Sequence, residues 1–202
     1  ANRPQRARHE AHMTAINIGE VSKGTKLLID NAPWLVQEVN FVKPGKGNAF
    51  YKLRVMNLLT RNVLEKTIRG GEKMETADVA DVEMSFLYND ANGYVFMDQT
   101  SFEQISVTPE RVGDDRDFLL ENMIVSVTLW NGEPIALRLP NTVTMEIEYT
   151  EPAVKGDTQS RVMKPAKLKV TGAEIKVPIF VATGDKVQVN TQTREYAGRV
   201  EK

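Results

Sequence analysis

Phe41-Val-Lys-Pro-Gly-Lys-Gly-Asn-Ala-Phe50 joins two strand-like apolar runs, Trp34 to Val42 and Ala49 to Leu59. Pro44-Gly45 reads as a turn: proline presets φ at the first corner, and glycine takes the positive φ required at the second. Gly47 adds a hinge on the far side. Lys46, between the two glycines, cannot bury its ammonium and has no acidic or aromatic neighbour in sequence. The stretch predicts a hairpin whose tip holds out one cation on a long flexible stem. Taken alone, the same pattern describes an ordinary solvated turn. In the second run Tyr51, Leu53 and Val55 alternate with Lys52 and Arg54, giving one buried face and one wet face.

The same two-residue period recurs along the chain. Ile124 to Trp130 meets Ile135 to Leu139 across Asn131-Gly132, the strongest short hairpin signal in the sequence. Phe86 to Tyr88 and Tyr94 to Met97 flank Asn89 to Gly93, which reads as a longer hairpin loop. Val143 to Tyr149, Ile175 to Val181 and Asp185 to Thr191 read as further strands. One helix is expected, over Pro109 to Met123, broken by Gly113 and capped at Thr108 or Asp114. A helical turn is expected over Ser101 to Ile105. Many short strands with regular turn signals imply barrels or sandwiches rather than a parallel sheet.

Composition removes several chemistries. The 202 residues are 41% apolar, enough for one real core or two or three small ones. With no cysteine there is no disulfide framework, no thiolate nucleophile and no cysteine zinc site. The two histidines, His9 and His12, lie in an almost wholly polar opening segment, so from Met13 onward the commonest general base is missing. An enzyme would have to work with carboxylates or lysine. No run approaches the roughly 18 apolar residues of a membrane span, and no signal-peptide core opens the chain; both fit a cytoplasmic protein.

The net charge of −1 conceals an asymmetry. Residues 13–77 carry ten Lys/Arg against six Asp/Glu, a net of +4; 78–141 carry three against twelve, −9; 142–202 carry ten against eight, +2. Basic ends around an acidic middle suit a polyanionic partner for the ends and a spacer between them, though solvated faces also vary by chance. Charge and turn signals place boundaries near 77 and 141. The expected organisation is an extension or added residue over 1–12 and three small all-β domains over 13–77, 78–141 and 142–202.

Each remaining motif has a plain alternative. There is no nucleotide-binding fingerprint, and Gly45-Lys46-Gly47 is too short a loop and is not followed by a helix. Asp114-Asp115 could hold magnesium, but a helix-start cap accounts for the same pair. Aromatic residues are 7% of the chain and fall at inward strand positions, which pack barrels more often than they stack bases. Glu151-Pro-Ala-Val-Lys-Gly-Asp-Thr158 makes an exposed loop rich in donors and acceptors, suited to RNA contact or to solvent alone.

The Phe41–Phe50 loop, Leu58-Leu59-Thr60, Glu65-Lys66-Thr67, Leu87-Tyr88-Asn89-Asp90 and Phe96-Met97-Asp98 closely resemble the bacterial elongation factor P family. So do Trp130-Asn131-Gly132, Leu139-Pro140-Asn141, Lys155-Gly156-Asp157-Thr158, Lys164-Pro165-Ala166, Val177-Pro178 and Gly184. The matches run in order from about Met13 to Val200, which makes Met13 the expected native start. The resemblance implies an all-β fold of three small β-barrels, one KOW-like and two of the oligonucleotide-binding (OB) type, in an L that looks like a transfer RNA. It implies a non-enzymatic translation factor that binds the ribosome between the peptidyl and exit sites and relieves stalling at consecutive prolines. Lys46 falls on the position that members extend by modification so that the tip reaches the end of the peptidyl-tRNA; Lys43, Pro44, Gly45 and Gly47 match the loop around it. Gly156, Asp157 and Thr158 match the loop that contacts messenger RNA at the exit site. Arg116 lies in a looser match and receives no role.

The resemblance further implies no cofactor, a covalent modification on Lys46 made by a partner enzyme, no membrane partner and a monomer. Whether the extension is a β-lysyl group, an aminopentanol or nothing is open, while lysine at 46 speaks against the arginine-rhamnosylated branch. The rivals are the paralogous elongation factor P-like proteins, a generic OB-type RNA-binding module and a carboxylate-based hydrolase. The two-domain hypusine-containing homologues match less well, because three domains are expected here.

Overall fold

The computed structural model describes residues 14–153 and 162–200. The described chain is almost wholly β, in three antiparallel-rich sheets. The first contains β1 (Ala15–Asn17), β2 (Lys26–Ile29), β3 (Ala32–Val42), β4 (Phe50–Asn57), β5 (Val63–Arg69) and β6 (Lys73–Thr76), in the order β1-β6-β2-β3-β4-β5. The second contains β7 (Val79–Asp90), β8 (Gly93–Asp98), β9 (Gln104–Val107), β10 (Ile124–Trp130) and β11 (Glu133–Arg138), in the order β11-β10-β7-β8-β9. The third contains β12 (Thr142–Thr150), β13 (Met163–Leu168), β14 (Glu174–Pro178), β15 (Lys186–Asn190) and β16 (Glu195–Arg199), in the order β14-β13-β12-β15-β16. Contacts divide the chain into two compact units, 1–82 with 127–136, and 83–126 with 137–202.

In the first unit the alternation read from sequence is the packing pattern. Leu53 and Val55 of β4 are fully buried against Ile18, Leu27, Trp34 and Val36, with Tyr51 and Ile68 packed at the edge of the cluster. The Trp34 indole N–H donates to the Ile29 carbonyl at 3.1 Å, so its one polar atom is satisfied inside the core. β2 and β3 turn over Asp30-Asn31, both at positive φ (50° and 59°), the two-residue reversal that matches strand twist. Asp81 holds the 127–136 segment in this unit: it accepts from the Thr128 hydroxyl at 2.6 Å and pairs with Lys26 at 3.8 Å.

The second unit contains the one α-helical turn among the described residues, and it differs from the expected helix over Pro109 to Met123. An α-helical turn, α1 (Pro109–Val112), breaks at Gly113 (φ 54°), as its sequence suggests, but a tighter 3-10 segment follows over Gly113–Phe118 and ends there. Phe118 and Leu119 are buried, and the chain leaves the helical path at Leu119 and turns over 121–122 before β10. Thr108 holds the N-cap position but makes no side-chain cap bond. Nor do residues 101–105 form a helical turn: Gln104 onward is β9, and the reversal before it is held by Asp98. The Asp98 carboxylate accepts from the backbone N–H of Thr100 and Ser101 at 2.7 and 3.1 Å, which keeps its carboxyl below the usual range. The loop expected over 89–93 is shorter than read, because β7 runs to Asp90 and pairs it with Gly93.

The third sheet buries Val143, Met145 and Ile147 of β12 against Leu168, Ile175, Val177, Val187 and Val189. Its β15–β16 turn carries Arg194, whose guanidinium bonds the Asp117 carboxylate at 2.5 Å and the Asp114 carbonyl at 3.2 Å and lies 4.9 Å over the Phe118 ring. The β13–β14 turn carries Val170 at φ 79° with its side chain 80% exposed. A left-handed φ is sterically costly for a β-branched residue. Replacing Val170 by glycine is expected to raise stability by about 1 kcal/mol, read as a higher urea midpoint; an unchanged or lower midpoint would contradict the strain.

Candidate nucleic-acid interface: the 43–49 loop

The register of β3 and β4 fixes where the loop starts. Val42 pairs with Phe50 and Phe41 with Tyr51, so residues 43–49 close the hairpin. The Phe41 and Tyr51 rings meet at 4.9 Å across the last rungs, and Phe41 is 56% exposed. The far leg is pinned from the neighbouring strand: the Gly70 N–H donates to the Ala49 carbonyl at 2.8 Å. A Cβ at Gly70 would sit 3.0 Å from that oxygen, so glycine permits the close approach.

The structure brings Lys43, Pro44, Gly45, Lys46 and Gly47 together in this one loop. The chain bends over residues 45–47, and Lys43, Gly45, Lys46 and Gly47 are exposed. The corner differs from the expected two-residue turn. Positive φ falls on Gly47 (106°) and not on Gly45, because seven residues span the reversal and the left-handed step is deferred to its exit. Pro44 is half-buried, and its ring packs 3.9 Å from where a Gly47 Cβ would stand. Lys43 and Lys46 have no hydrogen-bond or ion-pair partner among the described residues, so both ammonium groups are available to an anion.

The second expected site, Gly156, Asp157 and Thr158, lies outside the described residues. Its described stem is held where Lys164 donates to the Glu151 carbonyl at 2.5 Å and Thr150 exchanges hydrogen bonds with Thr183. Among the described residues no group of three or more His, Asp or Glu is placed to hold a metal ion, and no helix is long and apolar enough to cross a membrane. Sequence reading missed the pinning of Ala49 by Gly70, because Gly70-Gly71 marks a turn but not its partner.

Three family models match in chain order: the elongation factor P KOW-like domain over 17–74, its OB domain over 79–137 and its C-terminal domain over 143–199. Elongation factor P of Synechococcus sp. (strain JA-2-3B'a(2-13)) is 46% identical over 184 residues, spanning 91% of this chain and 99% of that protein. This chain belongs to the elongation factor P family. It is therefore a translation elongation factor and not an enzyme, built from KOW-like and OB-type β domains. Among solved structures, eukaryotic translation initiation factor 5A from Methanococcus jannaschii superposes with a TM-score of 0.53 at 18% identity, over 63% of this chain and 95% of its own. A translation initiation factor eif-5a family protein from Naegleria fowleri gives 0.51 at 17%, over 63% and 99%. Those two likenesses concern the fold, and each leaves more than a third of this chain unmatched.

Proposed function

We propose that this factor binds the ribosome between the peptidyl and exit sites and speeds peptide-bond formation at consecutive prolines by ordering the peptidyl-tRNA. The observation that carries the reading is Lys46: a partner-free cation at the tip of a hairpin loop, on the family's modified position, with its legs pinned at Ala49 and at the Phe41–Tyr51 pair. The reach comes from the hairpin and the specificity from its contacts. Proline's ring fixes φ and restricts the geometry of attack. A protein that supplies no acid or base can still lower that barrier by holding the donor in place, a contribution that in principle reaches several kcal/mol. A cation beside RNA phosphates adds charge neutralisation. The ribosome remains the catalyst.

In this reading Lys43, Pro44, Gly45, Lys46 and Gly47 form the tRNA-contacting loop, with Lys46 extended by a modifying enzyme. Gly156, Asp157 and Thr158 contact messenger RNA. The three sheets correspond to domains over 13–77, 78–141 and 142–202 of a cytoplasmic monomer. Reconstituted translation of a Pro-Pro-Pro message tests it. Adding the factor should shorten the pause at the third proline and leave a proline-free message unaffected. Equal rates with and without the factor would contradict the function.

A further inference from the structure

The second unit contains a cleft of about 430 Å³ that the family's loops do not use. Tyr88, Asn89 and Tyr94 form one wall, Arg116 and Glu121 another, and Val170 and Thr171 a third. A bulge between Phe86 and Tyr88 re-aims the strand. Phe86 stays buried against Tyr94 and Phe96 at ring distances of 5.9 and 5.4 Å, while Tyr88 turns out and is 51% exposed. The side chains of Tyr88, Asn89, Arg116 and Glu121 have no hydrogen-bond or ion-pair partner among the described residues. Asp117, also on the rim, is already bonded to Arg194, which leaves Glu121 as the carboxylate free to receive a ligand.

We propose that this cleft receives an arginine side chain presented by a basic segment of a partner protein. A guanidinium is planar, stacks on a tyrosine ring and pairs with a carboxylate through two parallel N–H bonds. Tyr88 and Glu121 both line the cleft and offer that pair of surfaces. The Asn89 amide and Arg116 supply donors for the backbone carbonyls of the same segment. Tyrosine and arginine are enriched among the residues that carry most of a protein interface's affinity.

Charge decides between a basic peptide and RNA. Residues 83–126, the stretch of this unit that carries Tyr88, Asn89, Tyr94, Arg116 and Glu121, hold nine Asp/Glu against two Lys/Arg, which favours a cationic peptide over a phosphate. Val170 also lines the cleft and offers an apolar side to the arginine stem.

The full chain, labelled with nitrogen-15, is titrated with acetyl-Gly-Arg-Gly-Arg-Gly-amide, with its lysine counterpart and with pentauridylate. The arginine peptide is expected to shift the amides of Tyr88, Asn89, Glu121 and Val170, and the lysine peptide to bind more weakly. Glu121→Gln and Tyr88→Ala should each weaken arginine-peptide binding about tenfold, while Glu103→Gln, at an exposed acid just before β9, should not. Unchanged spectra away from the cleft confirm that the variants are folded. Three results would overturn the proposal: no shifts at the cleft, equal losses in Glu121→Gln and Glu103→Gln, or larger cleft shifts with pentauridylate. The inference does not rest on the Lys46 loop, and with no ribosome present its outcome is separate from that reading.

Discussion

Lys46→Ala is expected to leave the fold intact and to reduce synthesis through Pro-Pro-Pro to the rate seen without the factor. The first half follows from exposure: Lys46 has no partner among the described residues, and its removal touches neither the Gly70–Ala49 hydrogen bond nor the Phe41–Tyr51 pair. The second follows from the division of labour. If the loop's contribution is positional and worth a few kcal/mol, losing its contact costs about tenfold in rate per 1.4 kcal/mol. Lys46→Arg separates two parts of the effect. It keeps the positive charge but removes the primary amine that a modifying enzyme would extend. Reconstituted translation measures all three proteins. Full activity in Lys46→Ala would remove the tip from the mechanism, and full activity in Lys46→Arg would make charge, not extension, the requirement.

Gly93→Ala is expected to give the largest loss of stability. Gly93 sits at φ 145°, and a Cβ there would lie 2.3 Å from the Val107 carbonyl oxygen, 3.1 Å from its carbon and 3.3 Å from the Ser106 hydroxyl. The nearest atoms are backbone, so no side chain can swing away. β8 and β9 must part where Tyr94 pairs with Val107 and Val95 with Ser106. Overpacking together with left-handed strain amounts to about 2–4 kcal/mol. Gly132→Ala is the control: its φ is 81° but nothing lies within 4 Å, so only about 1 kcal/mol of backbone strain is expected. Urea unfolding of the two variants measures the difference. Equal midpoints would show that β9 yields without cost.

How much of this was legible in the sequence depended on whether a feature is local. Tyr51, Leu53 and Val55 announce their strand because alternate burial is written into adjacent residues, and Asn131-Gly132 announces its hairpin because both residues take positive φ (51° and 81°). The helix over Pro109 to Met123 was over-read for the opposite reason. Its apolar positions serve burial of Phe118 and Leu119 beneath a 3-10 segment clamped by Arg194, a contact 77 residues away. The positive φ expected at Gly45 moved to Gly47 because loop length, not the Pro-Gly dipeptide, sets where the corner falls. Within the candidate site, the cation and its glycines were readable; the Gly70–Ala49 hydrogen bond and the cleft beside Tyr88 were not, since each joins segments whose meeting only the fold defines.

The central claim is that the 43–49 loop meets the reactive end of the peptidyl-tRNA. The most direct test places a photocrosslinking amino acid at exposed Asn48, with exposed Lys23 as the control position, on ribosomes stalled at Pro-Pro-Pro. This account predicts that the Asn48 adduct maps to the 3′-terminal nucleotides of the peptidyl-tRNA and that the Lys23 adduct does not. Crosslinks from Asn48 to ribosomal RNA or to a part of the tRNA remote from its 3′ end would contradict it.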